Sequence, residues 1–274
     1  MTPTDDAVVR WLLDGDVAIR WQVLRDLVGA PESAVGRERQ KVAREGWGAR
    51  LLALQDPEGT WDGGLYSPKW TSTTYTMLLL RDCGLPPSNP QARRACSLLL
   101  DNGLRSDGGW NCRRPHGARH SSVHTTISVL EGLRLYGLSR RRMTGDVQSA
   151  QGRGREFLRI HRLFRSHRTS RIIKSEFTRF SFPPRWHYDI LRALDHFQVA
   201  GAPRDPRLSE AMAIVRRRRR SDGRWPLQNY YKGKSHFVLE RLGAPSRWNT
   251  LRALRVLKWW EHGDAKGVGR TSET

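Results

Sequence analysis

A cation beside an aromatic or imidazole ring heads four apolar helical runs of this chain: Lys69-Trp70, Arg119-His120, Arg185-Trp186 and Arg247-Trp248. Three of these steps are preceded by turns ending in tryptophan, at Gly59-Thr60-Trp61, Asp107-Gly108-Gly109-Trp110 and Asp222-Gly223-Arg224-Trp225. A pattern that returns every few tens of residues is the mark of stacked supersecondary units that share one core. One repeat domain is therefore expected rather than two unrelated ones.

The helical period supplies the units. Two short helices, Asp6–Leu13 and Asp16–Val28, form a hairpin over residues 1–30 that resembles a HEAT-type pair. A polar link (APESAVGRER) follows, then paired runs: Trp47–Gln55 with Trp70–Cys83, Gln91–Asn102 with Ser122–Tyr136, Arg155–Arg165 with Trp186–Val199, and Leu208–Arg219 with Trp248–Trp260. Gly and Pro cluster between the runs as stop and start signals. Strand alternation is absent, so the class is all-α, with the repeat domain over 31–262 and a polar, Gly-rich tail over 263–274 read as disordered.

Charge and cysteine content narrow the setting. The 274 residues carry a formal net charge of +21, and 41 of the 48 basic residues are Arg. That excess fits either a solvated, Arg-rich surface or a polyanionic partner. The run Arg216 to Arg220 closes a helical stretch, where cations oppose the negative dipole end. No 18-residue apolar span is present, and the first residues are acidic rather than basic. Cys83, Cys96 and Cys112 make no pairing framework. A cytoplasmic protein without a transmembrane segment is expected, with peripheral membrane contact left open.

The stretch from Trp47 to Trp61 (WGARLLALQDPEGTW) resembles the QW repeat of squalene–hopene cyclases, in which a Gln at a helix end precedes Gly-x-Trp. The turns at 107–110 and 222–225 look like weaker copies that keep Asp-Gly and lack the upstream Gln. This resemblance runs through most of residues 46–260. It implies the α/α toroid of terpenoid cyclases and protein prenyltransferase β subunits, here with about five helical hairpins and so an irregular or open ring. The Asp-x-Asp-Asp acid of the cyclases is missing. Protonation of an alkene needs one carboxyl kept neutral beside another, so squalene-type cyclisation is not expected. The segment Ser122–Leu133 resembles the inner helix of prenyltransferases, with His124 in the place of a zinc ligand, but the partner Asp-x-Cys is absent.

Several residues are candidates for a site. Cys112, His116, His120 and His124 recur every four residues, a spacing that puts ligands on one helix face, and sulfur with imidazole suits zinc. Zinc or magnesium is the cofactor left open. Lys69, Arg185 and Arg247 are expected in the first turns of inner helices, where added cations and backbone amides would gather an anion at one rim. Thr73, His124, Ser128, His187, Asp189, Asn249 and Arg252 would line the cavity below it. His187, Asp189 and His124 are the acid–base candidates. Asn249 and Arg252 would hold an oxyanion or phosphate, and Trp70, Trp186 and Trp248 would offer aromatic walls to a cation. The plainer reading is that each cation–ring step staples one hairpin to the next.

The expected ligand is an isoprenoid or other apolar molecule with a phosphate or diphosphate head, and whether it is transformed is left open. The rival is a nucleic-acid binder or protein scaffold without catalysis. Arg216–Arg220 and the basic stretch 153–179, with Phe157, Phe164, Phe177 and Phe180 interleaved for base stacking, carry that rival.

Overall fold

The computed structural model describes residues 3–103, 155, 156 and 158–262. Nine α-helices can be named among them: α1 (Pro3–Leu13), α2 (Val17–Val23), α3 (Glu32–Gln40), α4 (Gly46–Leu52), α5 (Thr73–Cys83), α6 (Pro90–Gly103), α7 (Ile190–Val199), α8 (Ser209–Arg217) and α9 (Arg247–His262). No strand occurs among the described residues, only isolated bridges such as Trp61 with Gly64 and Pro226 with Pro245. The expected helix over 122–136, Trp110, and the tail over 263–274 lie outside the described residues.

The described chain divides into two compact units. One comprises residues 13–103 and 231–239; the other comprises residues 3–12, 155–230 and 240–262. The expected hairpin over 1–30 is thus shared out, α1 to one unit and α2 to the other.

In the unit that holds α2 to α6, burial of apolar faces is combined with side-chain capping of helix ends. Asp16 starts α2, with its Oδ1 accepting the Ala18 amide at 2.8 Å, and its Oδ2 accepts the Trp47 amide of α4, also at 2.8 Å. One carboxylate therefore answers orphan donors at two helix starts. At the other end of α5, Trp21 Nε1–H donates to the Cys83 carbonyl (2.8 Å), Gln22 to Asp82 (3.0 Å) and Arg39 to Gly84 (2.8 Å). These are the carbonyls a helix C-terminus leaves unpaired.

Helix α3 corrects the polar link expected there. Val35 is its one buried residue, so the apolar period that marks a helix is absent. Contacts outside its own turns hold it: Arg20 pairs with Glu38 at 2.6 Å, and Arg39 reaches Gly84. The second unit packs around Phe164, Phe180, Phe197, Met212 and Trp225. Its α1 is held by Arg219, which pairs with Asp5 at 2.5 Å, and by Trp11, which has the guanidinium carbons of Arg224 and Arg247 at 4.3 and 4.5 Å from its ring.

Several helix starts also need correction. The run expected from Trp70 begins at Thr73, and the run expected from Trp186 begins at Ile190. The helix expected over Arg155–Arg165 gives way to turns after Ile160.

Candidate functional site

The tryptophan turns come first, because they set the helix starts that follow. Trp61 is fully buried; its Nε1–H donates to the Leu51 carbonyl at 2.7 Å, and its amide donates to Thr73 Oγ1 at 3.1 Å. Trp225, equally buried, donates from Nε1 to the Val215 carbonyl at 2.7 Å and from its amide to Thr250 Oγ1 at 3.0 Å. The glycines before them adopt the left-handed conformation, φ +91° at Gly59 and +79° at Gly223. Gln55 Nε2 donates to the Gly59 carbonyl at 2.9 Å, and Arg219 Nε donates to the Gly223 carbonyl at 3.2 Å. Arg219 thus makes the bond of the Gln that the second turn lacks.

The helix starts expected to collect an outside anion are met by the protein's own groups. At α9, Glu240 Oε1 accepts the amides of Arg247 (2.7 Å) and Trp248 (3.3 Å), while its Oε2 accepts the Ser246 hydroxyl. Ser246 Oγ in turn accepts the Asn249 amide at 2.9 Å. At α7, Asp189 Oδ1 accepts the Arg192 amide at 2.8 Å, and Oδ2 accepts the Ser181 amide and hydroxyl at 3.2 and 2.9 Å. At α5, the amides of Thr73 and Thr74 donate to the carbonyls of Gly64 and Leu65, both at 2.9 Å.

The cations are placed accordingly. Arg247 opens α9, with Nε donating to the Trp11 carbonyl at 3.2 Å. Lys69 and Arg185 lie in the connections before α5 and α7, which corrects the expectation that they sit in first turns. Lys69 is exposed, with Nζ 5.7 Å from the Trp70 ring centre. Trp70 is buried and donates from Nε1 to Lys232 and from its amide to Lys234, both carbonyls, at 2.9 and 2.6 Å. Thr73 spends its hydroxyl on Gly64 and Trp61. Trp186 is exposed and stacks on His187, ring centres 3.8 Å apart.

Trp248, Asn249 and Arg252 do come together, in one turn of α9. Trp248 stacks on Phe182 with ring centres 4.1 Å apart and planes 14° apart. Asn249 Nδ2 donates to the carbonyls of Pro226 (2.9 Å) and Phe180 (3.3 Å). Arg252 Nη2 donates to Asn249 Oδ1 at 2.6 Å and to the Ser181 carbonyl at 2.7 Å, and its guanidinium carbon stands 5.5 Å from the Phe182 ring. Only 5% of Arg252 is exposed, its Nε has no hydrogen-bond acceptor, and among the described residues it forms no ion pair. Burial pushes the Glu240 carboxyl above its ordinary range, against the opposing pull of Ser246, the α9 amides and the Arg252 charge. The cluster therefore holds one cation and a carboxyl whose charge is disfavoured.

Glu240 and Ser181 escape a reading of the sequence. The only signal for Glu240 is a carboxylate followed by a Gly-Ala-Pro-Ser turn, which brings it back onto the helix start. Phe164 and Phe180, expected to stack on bases, are buried in the core, and Phe177 packs edge-on against Tyr188 at 4.8 Å; Phe157 lies outside the described residues. Cys112, His116, His120, His124 and Ser128 also lie outside them, and no cluster of three or more metal-binding side chains occurs among the described residues. No described helix is long and apolar enough to cross a membrane. No protein-family model matches the sequence, and comparison with curated proteins and with solved structures gives no match.

Proposed function

We propose that the protein binds an apolar molecule carrying an anionic head of phosphate type, with the head at Arg252 and Asn249 and the apolar part along Trp248 and Phe182. The observation that carries this reading is the buried Arg252 guanidinium, which among the described residues contacts neutral acceptors and no carboxylate and keeps a donor to spare. A buried cation normally has a counter-charge, because leaving water costs it several kcal/mol. A ligand oxyanion would supply that charge and accept from the guanidinium fork.

The wider setting we propose is a cytoplasmic α/α helical repeat related to the cyclase and prenyltransferase toroids. The recurrence of one turn at Trp61 and Trp225, with the same ten-residue reach back to a helix carbonyl, supports it. In this reading Asp189 and Glu240 hold the helix starts, and an oxyanion is bound by side chains rather than by those amides.

The test uses Arg252→Met, which keeps the length of the side chain and removes its charge. Affinity for farnesyl diphosphate is expected to fall about tenfold or more, the value of one charge-assisted hydrogen bond. Phe182→Leu is expected to weaken the prenyl compound and leave pyrophosphate unaffected. Unchanged affinity for the prenyl compound in both folded variants would overturn the reading.

A further inference from the structure

Five arginines in a row end α8, and they are put to different uses. Arg216 reaches Glu261 at 3.5 Å. Arg219 pairs with Asp5, and its guanidinium carbon stands 5.4 Å from the Trp225 ring centre. Arg218 and Arg220, with Arg179 from a distant part of the sequence, line an open cavity of about 300 Å³. That volume lies at the small end of ligand sites, roughly 300–1,000 Å³.

The walls of this cavity are held by hydrogen bonds of their own. The Gly243 amide donates to Leu227 (2.7 Å), the Leu227 amide to Ala244 (2.9 Å) and the Gln228 amide to Phe180 (3.0 Å), all to carbonyls. Gln228 Oε1 accepts the Phe180 amide at 3.2 Å, one residue beyond Arg179. Arg220 Nη2 donates to the Gly243 carbonyl at 2.8 Å, which ties this cation to the same scaffold.

Several arginines of the chain pair with acids: Arg20 with Glu38, Arg165 with Glu210, Arg207 with Asp205 and Glu156, Arg255 with Asp195. The three cavity arginines differ. Among the described residues no acidic side chain lines the cavity, and none of the three arginines forms an ion pair. Arg218 Nε is buried and has no acceptor. Like charges that line one cavity repel, and an anion bound among them relieves that repulsion.

We propose that Arg179, Arg218 and Arg220 form a second anion site, a pocket for the phosphate of a phosphomonoester or diphosphate. Such a group brings a charge near −2 and several strong acceptor oxygens, which suit planar guanidinium donors. The remaining lining is Pro226, Leu227, Gln228, Leu242 and Gly243, without an aromatic ring on which a nucleobase would stack. Leu242, 62% exposed, gives the rim an apolar edge. A soluble phosphate ester and the headgroup of an anionic phospholipid share this chemistry. The site does not depend on Arg252, so the two proposals succeed or fail separately.

The test is calorimetric titration of the full chain with pyrophosphate at about 150 mM salt, where weak surface attraction is screened. Pyrophosphate is expected to bind, to bind about tenfold or more weakly in Arg218→Gln, and to bind unchanged in Arg37→Gln, an exposed arginine of α3 outside both sites. Arg179→Gln, at an exposed position, carries the same expectation should Arg218→Gln not fold. Vesicles of phosphatidylcholine with and without phosphatidic acid separate the sources. Binding that needs phosphatidic acid and is competed by pyrophosphate identifies a lipid headgroup, and pyrophosphate binding without vesicle binding identifies a soluble ester. Absence of pyrophosphate binding, pyrophosphate affinity indifferent to both Arg218→Gln and Arg179→Gln, or loss in Arg252→Met alone would overturn the proposal. So would capture of a single-stranded oligonucleotide without pyrophosphate binding, which would assign the arginines to a nucleic-acid backbone.

Discussion

Glu240 shows how one side chain redirects the chemistry of a helix start. Its carboxyl takes two amides and a hydroxyl at the head of α9, yet burial still raises its pKa. A carboxyl whose pKa is higher folded than unfolded contributes stability that is full below the unfolded value, about 4.3, and lost as pH rises through the folded value. Glu240→Gln keeps the acceptor for the amides and removes this proton linkage. The stability of wild type minus that of Glu240→Gln is therefore expected to fall as pH rises above about 4, measured by urea unfolding at each pH. Glu38, Asp205 and Glu210, whose carboxyls arginine or lysine partners hold low, act in the opposite sense but cancel in that difference. A difference independent of pH would contradict the burial described. The sequence named Asn249 and Arg252 together as polar groups one turn into an inner helix; it offered no comparable rule for Glu240, which reaches α9 through a turn.

At the scale of elements, the tryptophan turns were legible because Gly-x-Trp has a steric and a hydrogen-bonding reason. Glycine takes the left-handed backbone, and the indole N–H reaches the carbonyl at the preceding helix end. Trp225→Phe retains most of the apolar surface and removes the indole donor from the Val215 carbonyl, which keeps the longer bond from the Arg218 amide (3.2 Å), so it is expected to cost about 0.5–1.5 kcal/mol. Thermal or urea unfolding measures this, and a loss below a few tenths of a kcal/mol would show that the bond does not hold the turn. The helix starts at 70 and 186 were misplaced for a related reason. A cation–ring step resembles a first turn in sequence, but the caps are Ser72 and Asp189, two and three residues further on. Helix α3 stayed hidden because ion pairs and a carbonyl contact stand in for an apolar stripe. Whether the turns belong to a closed ring is a question of how units are arranged, which local periodicity does not encode.

For the molecule as a whole, the +21 charge resolves into two populations. Many arginines are bound to carboxylates, carbonyls or aromatic faces, as around Trp11 and Glu210, and these account for much of the composition without any ligand. Arg252, Arg179, Arg218 and Arg220 form no ion pair among the described residues, and they carry the functional account. Of the phenylalanines that favoured a nucleic-acid reading, Phe164 and Phe180 are core residues and Phe177 packs against that core, partly buried.

The most direct measurement is a thermal-shift titration of the wild-type chain with farnesyl diphosphate against pyrophosphate at about 150 mM salt. Ligands that bind the native state raise its melting temperature with occupancy and affinity. The account predicts stabilisation by the prenyl compound well beyond that by pyrophosphate, with the excess lost in Arg252→Met. Equal shifts with the two compounds would contradict an apolar-plus-anionic site at Trp248 and Arg252.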